Sequence, residues 1–361
     1  MTSPQPEFIE PRIEIHLAHG GIDIQQQRPA IARALVGLPA AVALQRIPNL
    51  LPICGHAQAT AAARAVAAAK GNPQQQQAGL DTRLWREQAM ACGWRLCVDW
   101  PDLLGEIRQM PALKQLHQAA DDKQRAAALG EMIEGLAAVR SLNDLLAWVK
   151  HGECLAARVV RHAAELANEQ TMIPPLSPLN DSGVRAKLRS ALADDPFDPL
   201  EPAGGPLEVG PLAMARDPLV RELQDSMGSS VLSRLLAQLL DARFVARALL
   251  ETNGEKTPAC ASAWSLQAGG ENSGVGCAVT ARGPVFHQVR LSQGKDTAAD
   301  TVIDWRVLAP TDWHFARRGP VARELESLAK PTREDIALVV ASYDPCAPWT
   351  LHQAETVEHH A

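Results

Sequence analysis

The chain has 361 residues, 46% of them hydrophobic and 21% charged, with a net charge of −6. That is enough chain for a sizeable buried core, and the acidic balance excludes nucleic acid as the main partner. No stretch reaches the about 18–20 uncharged apolar residues of a membrane-spanning helix. Met1–Glu10 lacks the basic and apolar regions of a secretory leader. Seven cysteines, at 54, 92, 97, 154, 260, 277 and 346, include no Cys-x-x-Cys pair. An odd number without regular spacing predicts free thiols in a reducing compartment, the cytoplasm.

Taken in chain order, Arg12–Leu17 alternates polar and apolar side chains, the period of a half-buried strand. Gly20-Gly21 reads as a turn and Ile22–Ile24 as its partner strand. A short helix is expected over Pro29–Leu38, and Pro48 and Pro52 bracket an extended approach to Ile53-Cys54-Gly55. His56–Lys70 is rich in alanine, the best helix former, and Gly71-Asn72-Pro73 ends it. Cys54 therefore sits just ahead of a helix N-terminus, where the dipole and free N–H groups would favour a thiolate. Gln74–Gln77 reads as a linker.

Thr82–Gln170 predicts three to five helices with breaks near Pro101, Pro111 and Ser141. Trp85, Trp94, Trp100 and Trp148 read as packing anchors of this layer, and Cys92, Cys97 and Cys154 as small buried hydrophobes. Ile173–Pro211 carries eight prolines and an acidic run, Asp194–Pro199, and reads as a connecting loop. Arg216–Leu250 returns to helical spacing. Ala263–Leu266, Gly276–Ala281, Val285–Leu291 and Thr301–Leu308 read as strands, with Gly294-Lys295-Asp296 a turn. Helices over Val321–Ala329 and Arg333–Ser342 then deliver the chain to Asp344. The class expected is α+β, with a helical middle and small antiparallel sheets near both termini. The organisation reads as a single domain, 1–361. Its parts are strands and the Cys54 motif (1–70), a helical layer (71–172), a Pro-rich loop (173–211), and a helix, sheet and Cys346 motif (212–361).

Several short motifs recur in order. Arg12–Leu17 reads Arg-Ile-Glu-x-His-Leu. Ile53-Cys54-Gly55 leads into a helix containing Arg64-Ala65-Val66. Ala281-Arg282-Gly283 has His287 four residues after the glycine. Ala309-Pro310-Thr311 precedes Trp313, and Asp344-Pro345-Cys346 has His352 six residues after the cysteine. In this order the set resembles the large subunit of nickel–iron hydrogenases. The resemblance is carried by residues 1–70 and 277–361, and the helical middle adds no motif.

That enzyme family holds its metals with two Cys-x-x-Cys pairs. Here Ala57 and Trp349 stand where each pair has its second cysteine, so the four-thiolate bimetallic site cannot form and no enzyme activity is expected. A shortened, cysteine-depleted relative of this kind is similar to the HupK/HoxV-type hydrogenase maturation proteins. The resemblance implies a scaffold that transiently holds iron carrying cyanide and carbon monoxide, bound through Cys54 and Cys346. The cargo would pass to the nickel–iron hydrogenase large-subunit precursor, helped by small maturation chaperones, with neither nucleic acid nor membrane involved. The alternative is a metal-free chaperone or docking module for the precursor.

Soft thiolates suit low-spin iron, and two hold it less firmly than four, as a departing cargo requires. Bound cyanides are hydrogen-bond acceptors. By resemblance Arg282 would donate to one, and Thr311 with the Pro310 turn to the other. Glu14 would be a nearby or metal-linked carboxylate, and His352 matches a histidine that binds a separate structural metal in many of these enzymes. His56 has no equivalent in those enzymes and, beside Cys54, could be a third iron donor or a proton acceptor that keeps Cys54 as thiolate. Each residue also has a plainer reading. Arg282 could end a hairpin, Thr311 cap a segment, Glu14 face solvent, and His56 simply start a helix. His359 and His360 read as a solvated tail.

Overall fold

The computed structural model describes residues 11–18, 21–27, 34–72, 82–166, 208–251, 264–267, 272–292, 300–328 and 331–353. The linker Gln74–Gln77, the loop 173–207, the turn 294–296, the tail histidines, Cys260 and the first part of the helix expected from Pro29 lie outside them.

Both chain ends build one sheet. Strand β1 (Arg12–Ala18) pairs antiparallel with β2 (Gly21–Gln27) and parallel with β7 (Trp349–Gln353). Strand β7 was not expected from the sequence, and its parallel pairing makes this sheet mixed rather than antiparallel. Ile13, Ile15 and Ile24 bury its inner face against Phe315, Val321 and Val340, the alternation that made β1 legible.

Helix α1 (Ala40–Leu50) runs through Pro48, which corrects the extended approach read from that proline. Proline costs one backbone hydrogen bond there, and two residues from a helix end that loss is small. A short 3-10 turn, Pro52–Cys54, then leads into α2 (Gly55–Ala69). The alanine content of α2 does more than favour the helix. Its Ala57, Ala61, Ala62, Ala65 and Ala68 are fully buried, so it lies almost directly on the second sheet.

That sheet has the order β3 (Trp264–Gln267), β4 (Ser273–Thr280), β5 (Gly283–Leu291), β6 (Val302–Leu308), all antiparallel. Gly274 and Gly276 of β4 receive the helix. A Cβ on Gly276 would stand 2.0 Å from the Ala61 carbonyl oxygen, and one on Gly274 2.2 Å from that of Ala65.

The helical layer begins with α3 (Thr82–Trp94), which continues through a π-turn (Arg95–Asp99) into α4 (Trp100–Leu103). Pro101 does not break it, because proline is tolerated in a first turn and the wider π-turn ahead of it makes room. Pro111 opens α5 (Met110–Gln118), and α6 (Asp122–Met132) follows. Ser141 caps α7 (Leu142–His151) through a capping box with Asp144. Next come α8 (Leu155–Leu166), α9 (Pro211–Met214) and α10 (Pro218–Met227).

Helix α11 (Val231–Glu251) is the axis of the main core. Its Leu235, Leu236, Leu239, Leu240 and Val245 pack with Trp85, Trp100, Leu129 and Val160. Trp85 and Trp100 are the anchors expected, whereas Trp94 is 49% exposed. Buried arginines in this core are paired: Arg216 with Asp241 at 2.6 Å and Arg243 with Asp217 at 2.8 Å. After β6, α12 (Pro310–His314), α13 (Pro320–Ser327) and α14 (Arg333–Tyr343) return the chain to β7. Among the described residues no helix is long and apolar enough to cross a membrane.

Candidate functional site

Two local structures carry the cysteines. Cys54 is the residue preceding α2, at the end of the 3-10 turn. Cys346 follows α14, whose last turn ends on Asp344 in a left-handed conformation, φ 49° and ψ 68°. Aspartate adopts that region more readily than most side chains, and the reversal turns the chain toward Cys346. The packing of α2 on β4 and β5 brings the ends together. The thiols lie close enough for charge on Cys346 to act on Cys54.

A neutral hydrogen-bond donor reaches each sulfur. The amide Nε2 of Gln58, one turn along α2, donates to Cys54 Sγ at 3.2 Å. The Thr311 hydroxyl donates to Cys346 Sγ at 3.1 Å and accepts from the Cys346 backbone N–H at 3.1 Å. Pro310 is buried beside it as the first residue of α12. Thr311 thus spends its proton on the sulfur.

Arg282 lies in the two-residue turn between β4 and β5. The Thr280 hydroxyl shapes that turn, accepting from Arg282 N at 3.0 Å and donating to the Gly283 carbonyl at 2.8 Å. Gly283 has φ 126°, and a Cβ there would meet the Val209 carbonyl oxygen at 2.2 Å, so only glycine fits. The Arg282 side chain is 8% exposed. Its Nε donates to the Asp344 carbonyl oxygen at 3.1 Å and lies 3.3 Å from the Asp344 carboxylate. Its terminal nitrogens have no hydrogen-bond acceptor among the described residues. The guanidinium also senses the charges of Cys346 and Cys54. It is anchored at one edge, through Nε, on Asp344.

Arg95 completes the anchor. It comes from the π-turn of the helical layer and grips Asp344 through Nε at 3.1 Å and a terminal nitrogen at 2.5 Å. Burial alone would push the Asp344 carboxyl up, but Arg282 and Arg95 outweigh it and hold the carboxyl below its usual range. Asp99, in the same π-turn, is pushed up to about 6 by burial and by Asp344. π-turns of this kind occur often at functional sites.

The sequence reading of Cys54 as a thiolate stabilised by its helix needs correction. The Glu87 carboxylate takes the N-terminal donors of α2, accepting from His56 N at 2.6 Å and Ala57 N at 3.0 Å. With those donors occupied, burial and the nearby Cys346 push the Cys54 thiol up to about 12. Without a metal it is a neutral thiol at physiological pH.

Glu14 and His352 lie in a second cluster. On paired strands β1 and β7 the His16 and His352 rings stack at 4.5 Å, and Glu14 Oε2 is 3.7 Å from His16 Nε2. Donor atoms of the three lie within 4.8 Å of one another. The pocket thus gathers Cys54, Cys346, Arg282, Pro310 and Thr311, whereas Glu14 joins His16 and His352, and His56 contributes its backbone N–H to Glu87. Sequence reasoning missed Arg95, Gln58, Glu87 and His16. Gln58 had a readable signal, since position i+4 from Cys54 shares its helix face. Arg95, a lone charge in the apolar run Cys92–Val98, had a weaker one.

No catalogued family profile matches the chain. Among curated proteins it is similar to the hydrogenase expression/formation protein HoxV of Cupriavidus necator, 28% identical over 92% of this chain and 93% of that one. It is 30% identical to the hydrogenase expression/formation protein HupK of Azotobacter vinelandii, over 94% of this chain and 97% of that one. Among solved structures, a chain of the NAD+-reducing [NiFe]-hydrogenase in the H2-reduced state superposes with a TM-score of 0.52. It covers 90% of this chain and 92% of that one, at 17% identity. The fold is therefore that of the nickel–iron hydrogenase large subunit, and the chain belongs to the HoxV/HupK family of hydrogenase expression/formation proteins.

Proposed function

We propose that this protein is a non-catalytic cytoplasmic scaffold that transiently holds iron carrying cyanide and carbon monoxide between Cys54 and Cys346. It passes that cargo to the nickel–iron hydrogenase large-subunit precursor, with small maturation chaperones assisting. The observation that carries the reading is Arg282, a buried guanidinium fixed on Asp344 whose terminal N–H groups have no acceptor among the described residues and share the thiols' pocket. Cyanide nitrogens are acceptors of the kind such donors require. The two thiols supply soft ligands, and the neutral Gln58 and Thr311 donors compensate sulfur charge without a counter-cation. Ala57 and Trp349, at the lost cysteine positions, leave no thiol to bridge a second metal.

The test is an infrared spectrum of protein purified without oxygen from cells with an active maturation pathway. Metal-bound CO and cyanide bands are expected, and they disappear in Cys54→Ala and in Cys346→Ala while circular dichroism stays unchanged. A protein silent in the infrared that still captures the large-subunit precursor would instead be a metal-free docking module. The neutral Cys54 thiol is the observation that favours that second reading.

The Glu14, His16 and His352 cluster suits a divalent ion, with two imidazoles and one carboxylate. His16 Nε2 is buried without a hydrogen-bond partner, so the residues present fit the separate structural metal that the resemblance implies. A bound ion would tie β7 to β1, a few residues past Cys346. Zinc at a hundredfold excess over its Kd is expected to stabilise the fold by about 2.7 kcal/mol. Thermal melts of wild type and His352→Ala check this, the variant showing no gain.

A further inference from the structure

Behind Cys54 a line of buried side chains fixes which end of one amide faces the sulfur. Trp305 Nε1 donates to His287 Nδ1 at 3.0 Å, His287 Nε2 lies 2.6 Å from Gln58 Oε1, and Gln58 Nε2 donates to Cys54 Sγ at 3.2 Å. Trp305, His287 and Gln58 are 1%, 0% and 3% exposed. Only one arrangement of protons satisfies this line. An indole nitrogen can only donate, so His287 Nδ1 must accept. A neutral imidazole that accepts at Nδ1 carries its proton on Nε2, and that proton goes to Gln58 Oε1. The Gln58 amide is then held with its NH2 group toward Cys54. Burial keeps His287 neutral by pushing its pKa down to about 3. Its ring meets the indole edge-on, with planes at 89°.

At Cys346 the hydrogen-bond donor is of a different kind. Its donor is the Thr311 hydroxyl, a rotor that can swing away. The two thiols are therefore inequivalent: one sees a fixed donor, the other an adjustable one.

We propose that Gln58 is a positioning residue, locked in one amide orientation by His287 and Trp305, that trims the electron donation of Cys54 to the iron cargo. This rests on the reading of Cys54 as an iron ligand. An N–H···S bond draws charge from a thiolate, so less reaches the iron and less passes into the antibonding orbitals of bound carbon monoxide. The relay sets how strongly one of the two thiolates holds a cargo that must later leave.

The experiment is infrared spectroscopy of the loaded full-length protein in wild type, Gln58→Met and Trp305→Phe, with nitrogen-15 shifts of His287 in the same proteins. Methionine matches glutamine in length, leaves His287 a weak acceptor and gives Cys54 no donor. The carbon monoxide band is expected to move to lower wavenumber in Gln58→Met. Trp305→Phe, which does not touch Cys54, is expected to shift it the same way by less. In wild type His287 is expected as the tautomer protonated on Nε2, and in Trp305→Phe as a mixture.

A wild-type band that neither substitution moves overturns the relay and leaves the cargo reading standing. A wild type without any band overturns the cargo reading, and the role of Gln58 with it. A His287 protonated on Nδ1 overturns the locked amide in either case. A purely structural role would lower the melting temperature and leave the band where it was.

Discussion

Asp344→Asn is expected to cost about 3–5 kcal/mol of folding stability, the usual consequence of removing one partner from a buried ion pair. Asp344 is 5% exposed and is the shared counter-ion of Arg95, at 2.5 Å, and Arg282, at 3.3 Å. Removing its charge leaves two buried guanidinium groups without their shared counter-ion. Asparagine tolerates the left-handed backbone of this position at least as well as aspartate, so the loss reports charge and not strain. A total of about 5–15 kcal/mol for a typical domain makes this a large fraction. The pH dependence has a definite sign. The Asp344 carboxyl is held below its ordinary value of 3.8, so its contribution is fully present above the unfolded value and lost as pH falls through the folded one. The gap between wild type and Asp344→Asn in denaturant midpoints should be flat near neutrality and narrow below about pH 4. A second substitution, Arg95→Met, should recover part of the loss by removing one of the stranded charges. A gap that persists unchanged at acid pH, or a double variant no better than the single, would mean that the loss does not come from the Asp344 charge.

The elements that hold the pocket differ in how far they could be read in advance. Strand β1, the alanine-rich α2 and the β4–β5 hairpin were legible because each has a local signal: alternation, composition, or a Gly at the tight turn. Two motifs at opposite ends of the chain named Cys54 and Cys346, and the structure brings them within electrostatic reach of each other. What sequence could not supply was long-range. Strand β7 has little apolar pattern, with only Leu351 buried among its described side chains, and exists because β1 offers it an edge. Pro48 and Pro101 read as breaks by local rules, but one falls in the last turn of its helix and the other follows a π-turn. Cys54 at a helix start implied a stabilised thiolate, until Glu87, from a helix elsewhere in the chain, took the same N–H groups. Arg95 and His287 act through partners remote in sequence, and no local pattern names a partner. The residues that touch the pocket were mostly visible; those that orient them were not.

Gly276→Val is expected to be the most disruptive single change outside the pocket, and it tests whether α2 carries Cys54 into place. A Cβ at position 276 would stand 2.0 Å from the Ala61 carbonyl oxygen and 2.5 Å from the Ala65 backbone nitrogen. Both are helix backbone, so no rotamer change relieves the clash and the helix itself must move. Overpacking of this kind costs about 3 kcal/mol or more, and here it adds to the lost burial of the alanine face. Even if the fold survives, α2 must lift from β4, and with it go Cys54, which directly precedes the helix, and Gln58, which meets His287 of β5. Loss of the His287–Gln58 contact and of cargo bands is expected together with a lowered melting temperature. Gly130 is the matched control: it lies in α6, and a Cβ there meets nothing within 4 Å. Gly130→Ala should be neutral or stabilise by up to about 1 kcal/mol through the unfolded chain. If Gly276→Val melts like wild type and binds its cargo normally, the close seat of α2 on β4 is not what positions Cys54, and the meeting of the two thiols must depend on α14 and the Asp344 anchor instead.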